Sequence, residues 1–285
     1  MEYLDEYANY LTIDKNLGRM TIEIYQRDIL EFERYLGKRK TIGSIARSHI
    51  RGFLAFLAEN NNQPITRRRK LTSLRTFFEY LKNEKKIKES PAGSISLPRV
   101  PQNEPNYLTE SEIRRIMKQI QKDKPRFRKR NKLMVKILVE TGIRLNELTG
   151  LCIKDADTKN LNIRVTRKGG AEQEIPINKE LGELIKNYAK NKKQDEPLFK
   201  SSHGKRITNR RVGLMFQKYV REAKIEKEKI SVHSLRHSFC TRLLDKGASL
   251  KSIQILAGHR SIATSERYLH IASSRLRKEV GLARI

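Results

Sequence analysis

Residues 161–178, LNIRVTRKGGAEQEIPIN, decide the fold class of this chain, because here the apolar residues alternate. Leu161, Ile163 and Val165 share one arm, Ile175 and Ile177 the other, and Gly169-Gly170 lie between them. Period-two alternation around a glycine pair reads as a β-hairpin. On both sides of it the pattern turns helical.

Toward the C-terminus, helical spacing covers about 179–192, 209–224, 234–246, 249–257 and 262–275. Toward the N-terminus, NKLMVKILVE (131–140) reads as an apolar helix closed by Gly142. Thr109 and Glu112 have capping-box spacing ahead of Ile113, Ile116 and Ile120. Residues 89–107, ESPAGSISLPRVPQNEPNY, hold four of the eight prolines and no helical period, so they read as an interdomain linker. Before it, apolar residues recur at steps of three and four: Ile22, Tyr25, Ile29, Phe32, Leu36; then Ile50, Phe53, Leu54, Leu57; then Leu71, Leu74, Phe78, Leu81. A short helix at about 2–13 precedes them. The last of these four helices opens in PITRRRKL, with Pro64 and with Thr66 as a candidate N-cap. The expected fold is mainly α with a small β-hairpin or sheet: a helical domain over 1–88, a linker over 89–107 and an α+β domain over 108–285.

Two domains also suit 285 residues at about 150 per domain. Lys and Arg number 61 against 32 Asp and Glu, a formal net charge of +29, which predicts attraction to polyanions. A thermophile-style surface would carry Glu beside Lys, and here the signs are unbalanced, so nucleic acid is the expected partner. No apolar run approaches the ~20 residues of a membrane-spanning helix, and MEYLDEYANY is acidic, unlike a targeting signal. The two cysteines, Cys152 and Cys240, make no disulfide framework or zinc set, which suits a reduced, cytoplasmic location. Residues 1–60 carry no net charge, so Arg67, Arg68, Arg69 and Lys70 at a helix start stand out as candidate DNA-phosphate contacts; a solvated charge run is the plainer alternative.

Four further stretches can carry chemistry, and each has an ordinary structural reading. In TGIRLNEL (141–148), Arg144 opens a helix with Glu147 three residues on; alone this is a surface ion pair. Lys168 sits at the hairpin turn, as a solubilising lysine or as a general acid. In VHSLRHSF (232–239), His233 and Arg236 share a helix face; alone this is a capped helix with a buried His. His233 and His237 lack the Glu of an HExxH zinc motif, and no carboxylate cluster accompanies them, so a metal is not expected. In LAGHRSIATSERYLHI (256–271), His259 follows Gly258, and Tyr268 comes on the next helix, as a core aromatic or a nucleophile. A tyrosine with an ordinary pKa of about 10 ionises readily only where cations favour the phenolate. Together, two Arg, two His and a Lys beside one phenol describe a phosphoryl-transfer site in which cations stand in for a metal. No GxxxxGK[ST] loop appears, so nucleotide hydrolysis is not implied.

With these residues in place, the chain resembles the tyrosine site-specific recombinases of the integrase family, most closely the compact Xer-type members. HSLRHSFCTRLLDKGASLKSIQILAGHRSIATSERYLHI matches that family's C-terminal signature, TGIRLNEL its first arginine motif, and YLDEYANYLTIDKNL with TRRRKLTSLRTFFEYL its helical core-binding domain. The resemblance implies that Arg144 and Arg236 clamp the scissile phosphate, assisted by His233 and His259. It implies Lys168 as general acid and Tyr268 as nucleophile. It further implies a C-shaped clamp of two domains around double-stranded DNA with specific recombination sites, a 3′-phosphotyrosyl intermediate and a Holliday junction. No cofactor, metal or membrane is implied. Four protomers, identical or mixed with a second recombinase, would act together, the segment at about 273–285 docking on a neighbour; a DNA translocase is a further candidate partner. Two departures stand out: Ala257 where Leu is usual before Gly258, and a hairpin less basic after its turn, which bears on Lys168. The absence of a module before residue 1 favours resolution of chromosome or plasmid multimers over arm-site integration.

The alternatives are a mobile-element integrase, a type IB topoisomerase, a non-catalytic DNA-binding protein and an RNA-binding protein. The compact helical N-terminal region argues against the topoisomerase, the six filled catalytic positions against a degenerate protein, and the lack of RNP-type aromatic motifs against RNA.

Overall fold

A computed structural model describes residues 3–37, 41–99, 106–167 and 169–258. The chain divides into two compact units, Met1–Gln102 and Asn103–Ile285.

Among the described residues, the first unit has four α-helices: α1 (Leu4–Ile13), α2 (Arg19–Leu36), α3 (Arg47–Glu59) and α4 (Pro64–Asn83). Each buries the face its spacing predicts. Ile29 and Phe32 of α2, Ile50 and Phe53 of α3, and Leu71, Leu74, Phe78 and Leu81 of α4 form one core, with Tyr7 of α1 edge-on to Phe77. Fully burying such a side chain stabilises by roughly 1.5–3 kcal/mol, which offsets part of the entropy lost in ordering the four helices. Helix α4 begins earlier than the Thr66 reading: Gln63 is its N-cap and Pro64 its first residue. Proline suits that position because its fixed φ is helical and its missing N–H would have had no partner. Within the proline-rich stretch 89–107, Ala92 and Ile95 are buried in this same core.

The second unit starts with α5 (Glu110–Gln121), capped as its sequence demands. The Thr109 N–H donates to Glu112 Oε2 at 2.7 Å, and the Glu112 N–H to Thr109 Oγ1 at 3.3 Å. Helix α6 (Pro125–Thr141) starts six residues before the apolar run, again with proline in its first turn. It ends at Gly142, whose φ of +62° is the left-handed C-cap that glycine adopts at least cost. Then come α7 (Leu145–Gly150) and a three-stranded antiparallel sheet, β1 (Ala156–Asp157), β2 (Asn162–Thr166) and β3 (Glu172–Pro176), in the order β1-β2-β3. Ile163 pairs with Ile175, and both with Val165 face the core, as the alternation requires. Strand β1 is two residues long, too short to show a period. Helices α8 (Lys179–Ala189), α9 (Asn209–Glu222), α10 (Val232–Asp245) and α11 (Leu250–Ala257) complete the described part.

Helix α10 packs along α6 and carries α11 through a small cluster of Phe239, Cys240, Leu244, Ile253 and Ala257. A Cβ at Gly142 would collide with the Phe239 ring. The α6–α7 turn thus lies hard against α10, and this close approach positions the site.

Candidate active site

Three segments meet where α6 ends: the α6–α7 turn, the hairpin end of β2, and the C-terminal turn of α11. Arg144 is the N-cap of α7. Its backbone N–H donates to Glu147 Oε2 at 2.7 Å, and its Nη1 to Glu147 Oε1 at 2.9 Å. The i+3 carboxylate therefore holds both ends of the arginine. Glu147 is almost wholly buried, its side chain 4% exposed. Burial alone would raise its carboxyl, but the donors from Arg144 and Arg167 outweigh it and hold the group below the ordinary carboxylate range.

Arg236 reaches across from α10 and is buried. Its Nη1 donates to the Gly142 carbonyl at 2.6 Å and its Nη2 to the carbonyl of Ala257. Arg144 Nη2 donates to the next carbonyl, Gly258 O, at 2.6 Å. The last carbonyls of a helix have no partner within it and form the negative end of its dipole, so guanidinium groups are favourably placed there. Arg144 and Arg236, 92 positions apart in the sequence, thus converge on adjacent carbonyls at the end of α11.

His233 lies one turn before Arg236 on α10 and its side chain reaches solvent. Partial desolvation, then the guanidinium groups of Arg236 and Arg144, hold its imidazole below the usual histidine range, so it is neutral at pH 7. Lys168, His259 and Tyr268 lie outside the described residues, as do the expected helix at about 262–275 and the segment 273–285. In the sequence Lys168 directly follows Arg167, and His259 directly follows Gly258.

The sequence reading missed Arg167 and Gln173. Arg167 Nη1 donates to Glu147 Oε2 at 2.7 Å, Nε to Gln173 Oε1 at 2.8 Å, and Nη2 to the Leu256 carbonyl at 3.1 Å. Gln173 Nε2 donates to the Ile255 carbonyl at 2.9 Å. Four consecutive carbonyls, 255–258, therefore each accept from a different side chain of the hairpin, the α6–α7 turn or α10. The tightness also explains Gly258: at φ +62°, an added Cβ would lie 2.6 Å from Arg167 Cζ. No local pattern marks Arg167, since a cation beside a turn is ordinary and its partners lie 20 and 89 positions away.

In the first unit, the four candidate DNA contacts on α4 differ. Arg69 is paired with Asp28 of α2, and Lys70, only 5% exposed, with Glu31 of α2. Lys70 is tied into the helical packing; Arg69, though paired, keeps 41% of its side chain exposed. Arg68 is exposed and Arg67 half-buried. Among the described residues no group of three or more His, Cys, Asp or Glu could hold a metal ion, and no helix is long and apolar enough to cross a membrane.

A strongly basic chain with a helical first unit, and a second unit that gathers arginines around one buried carboxylate, is suited to polyanionic partners. Residues 106–275 match the phage integrase family, and residues 4–85 the phage integrase N-terminal SAM-like domain. The tyrosine recombinase XerC of Natranaerobius thermophilus is 31% identical, the alignment covering 96% of this chain and 95% of that protein. Among solved structures, the XerH site-specific recombinase bound to palindromic difH substrate has 25% identity and a TM-score of 0.77, covering 97% of this chain and 83% of that one. The Tn1549 transposon integrase in complex with transposon right end DNA has 25% identity and a TM-score of 0.78, covering 99% of this chain and 100% of that one. The chain belongs to the phage integrase family. It is a site-specific tyrosine recombinase, of the group that breaks and rejoins DNA through a phosphotyrosine intermediate.

Proposed function

We propose that this recombinase cleaves and rejoins double-stranded DNA at specific sites with Tyr268 as nucleophile. Arg144 and Arg236 hold the non-bridging oxygens of the scissile phosphate, and His233 and His259 donate to the same group. The Tyr268 phenol gives up its proton to solvent, as the surrounding cations favour the phenolate; its oxygen forms a bond to phosphorus as the bond to the 5′ oxygen breaks, and Lys168 supplies the proton to that leaving oxygen. The 3′-phosphotyrosyl ester keeps the bond energy, so a 5′-hydroxyl from a partner duplex reverses the step and passes through a Holliday junction. No nucleotide or metal enters this scheme. The observation that carries the reading is the convergence of Arg144 and Arg236 on the adjacent carbonyls of Ala257 and Gly258, directly before His259 in the sequence.

The cellular role is resolution of chromosome or plasmid multimers in the cytoplasm, by four protomers on two sites, with a second recombinase or a translocase as candidate partners. The full-length likeness to XerC supports it. The comparable likeness to the Tn1549 integrase favours mobile-element integration as a second reading.

The test is a duplex carrying a nick opposite the target phosphate, mixed with protein and run on a denaturing gel. Wild type should give a covalent adduct and Tyr268→Phe none, with DNA binding retained. An adduct from the variant would remove Tyr268 from the mechanism. Integration of a supplied element end, without resolution of a two-site plasmid, would favour the second reading.

A further inference from the structure

We infer that Arg167 is a positioning residue for strand cleavage: one guanidinium that seats the end of β2 and, through Glu147, Arg144 against the end of α11. The inference rests on the site reading above and adds to it a residue that touches none of the reacting atoms.

The backbone comes first. The Arg167 N–H donates to the Ala171 carbonyl at 2.7 Å, and the Gly170 N–H to the Arg167 carbonyl at 3.0 Å. These two bonds close the turn between β2 and β3, with Gly169 and Gly170 at φ of +100° and +86°. Moving Arg167 therefore moves the base of that turn. The side chain comes second. All three of its nitrogens are engaged, each with a different segment: Glu147 of α7, Gln173 of β3 and Leu256 of α11. The guanidinium offers its donors from three nitrogens in a rigid planar fork that reaches all three segments; a lysine ammonium at the same place would keep the charge but offer its three donors from a single nitrogen.

Stability alone does not account for this residue. Its side chain is only 10% exposed, and it shares the Glu147 carboxylate with Arg144, a second cation. Burying an ion pair is often no better for stability than packing apolar groups in its place. The arrangement does fix where three cleavage elements stand. Glu147 cannot rotate without breaking both arginine contacts, so Arg144 is held; the end of α11, which leads to His259, is held by the same guanidinium. A displacement of about 1 Å at such a site can cost on the order of 100-fold in rate.

The test compares Arg167→Met and Arg167→Lys with wild type in single-turnover cleavage of the nicked duplex, in DNA affinity by titration and in thermal unfolding. Expected are cooperative unfolding, affinity within about threefold of wild type, and cleavage slowed on the order of 100-fold in Arg167→Met. Arg167→Lys should recover only part of the rate. A pH profile separates positioning from simple support. The charged groups facing Glu147 are Arg144 and Arg167, so without Arg167 its carboxyl rises and the acid limb of cleavage moves to higher pH. Wild-type cleavage by Arg167→Met, a fall in rate matched by the fall in affinity, or an unmoved acid limb would each overturn the inference. The Tyr268→Phe control is scored separately. An adduct there would overturn the nucleophile assignment while leaving the Arg167 comparison, made in a chain that keeps Tyr268, readable.

Discussion

Arg144 and Arg167 share one carboxylate, Glu147, at 2.9 and 2.7 Å, and both then donate to carbonyls of the 255–258 segment. The α6–α7 turn, the hairpin and the end of α11 are thereby joined by one buried acid between two cations. Removing the acid strands a buried guanidinium. Removing either base leaves the other alone on the acid.

Glu147→Gln should lower stability by about 3 kcal/mol at neutral pH, the cost of breaking a buried ion pair from one side. The folded-state pKa of Glu147 is depressed, so its contribution is present in full above the ordinary carboxylate value. It is lost as pH falls through the depressed one. Urea unfolding of wild type and variant at several pH values checks this. The gap should stay constant at neutral pH and close in acid, and a gap that widened in acid would contradict the assignment.

Gly142→Ala should be among the costlier single-methyl additions to this protein. The left-handed φ of +62° penalises any side chain by about 1–2 kcal/mol, and the collision with the Phe239 ring adds roughly 1–3 kcal/mol of overpacking. Phe239→Leu in the same chain should recover the second part and not the first. A double-mutant cycle in urea measures it, and additivity of the two changes would mean that the residues do not touch.

His233 should titrate below the usual histidine range in the DNA-free protein, because partial desolvation and two guanidinium groups oppose its charging. A bound phosphate would offset those cations, so DNA should raise its pKa and complex formation should take up a proton as His233 charges. Imidazole resonances followed by NMR with and without a short duplex report this. A downward shift on binding would place the phosphate elsewhere.

The α4 cations should separate by mutation. Arg68→Ala should reduce the logarithmic salt slope of DNA affinity by about one, the change expected when a single phosphate is no longer neutralised. Lys70→Ala should leave that slope unchanged and lower stability by about 1–2 kcal/mol, because Lys70 is buried against Glu31, which still reaches water. Salt titrations and denaturant melts of the two variants decide it; a Lys70→Ala slope change equal to that of Arg68→Ala would reverse the assignment.

What could be read from the amino-acid order alone was whatever depends on near neighbours. The period of α2, the capping box of Thr109 and Glu112, the glycine at position 142 and the alternation of Ile163, Val165 and Ile175 each involve residues a few positions apart. Their physics is complete within a turn or a strand pair. The pairing of Arg144 with Glu147 was legible for the same reason, one helical turn apart. The start of α4 was misjudged because Thr66 and Pro64 are both good helix openers, and only the packed helix shows which one the chain uses.

Tertiary structure decided the rest. It made Glu147 a shared anchor, set Arg236 on carbonyls of two distant segments, buried Lys70 against α2 and paired Arg69 with Asp28. It gave Arg167 a place that no neighbouring residue announces. A guanidinium acquires its role from the acceptors that surround it, and here those acceptors come from α7, β3 and α11, which only the folded core brings within hydrogen-bonding distance.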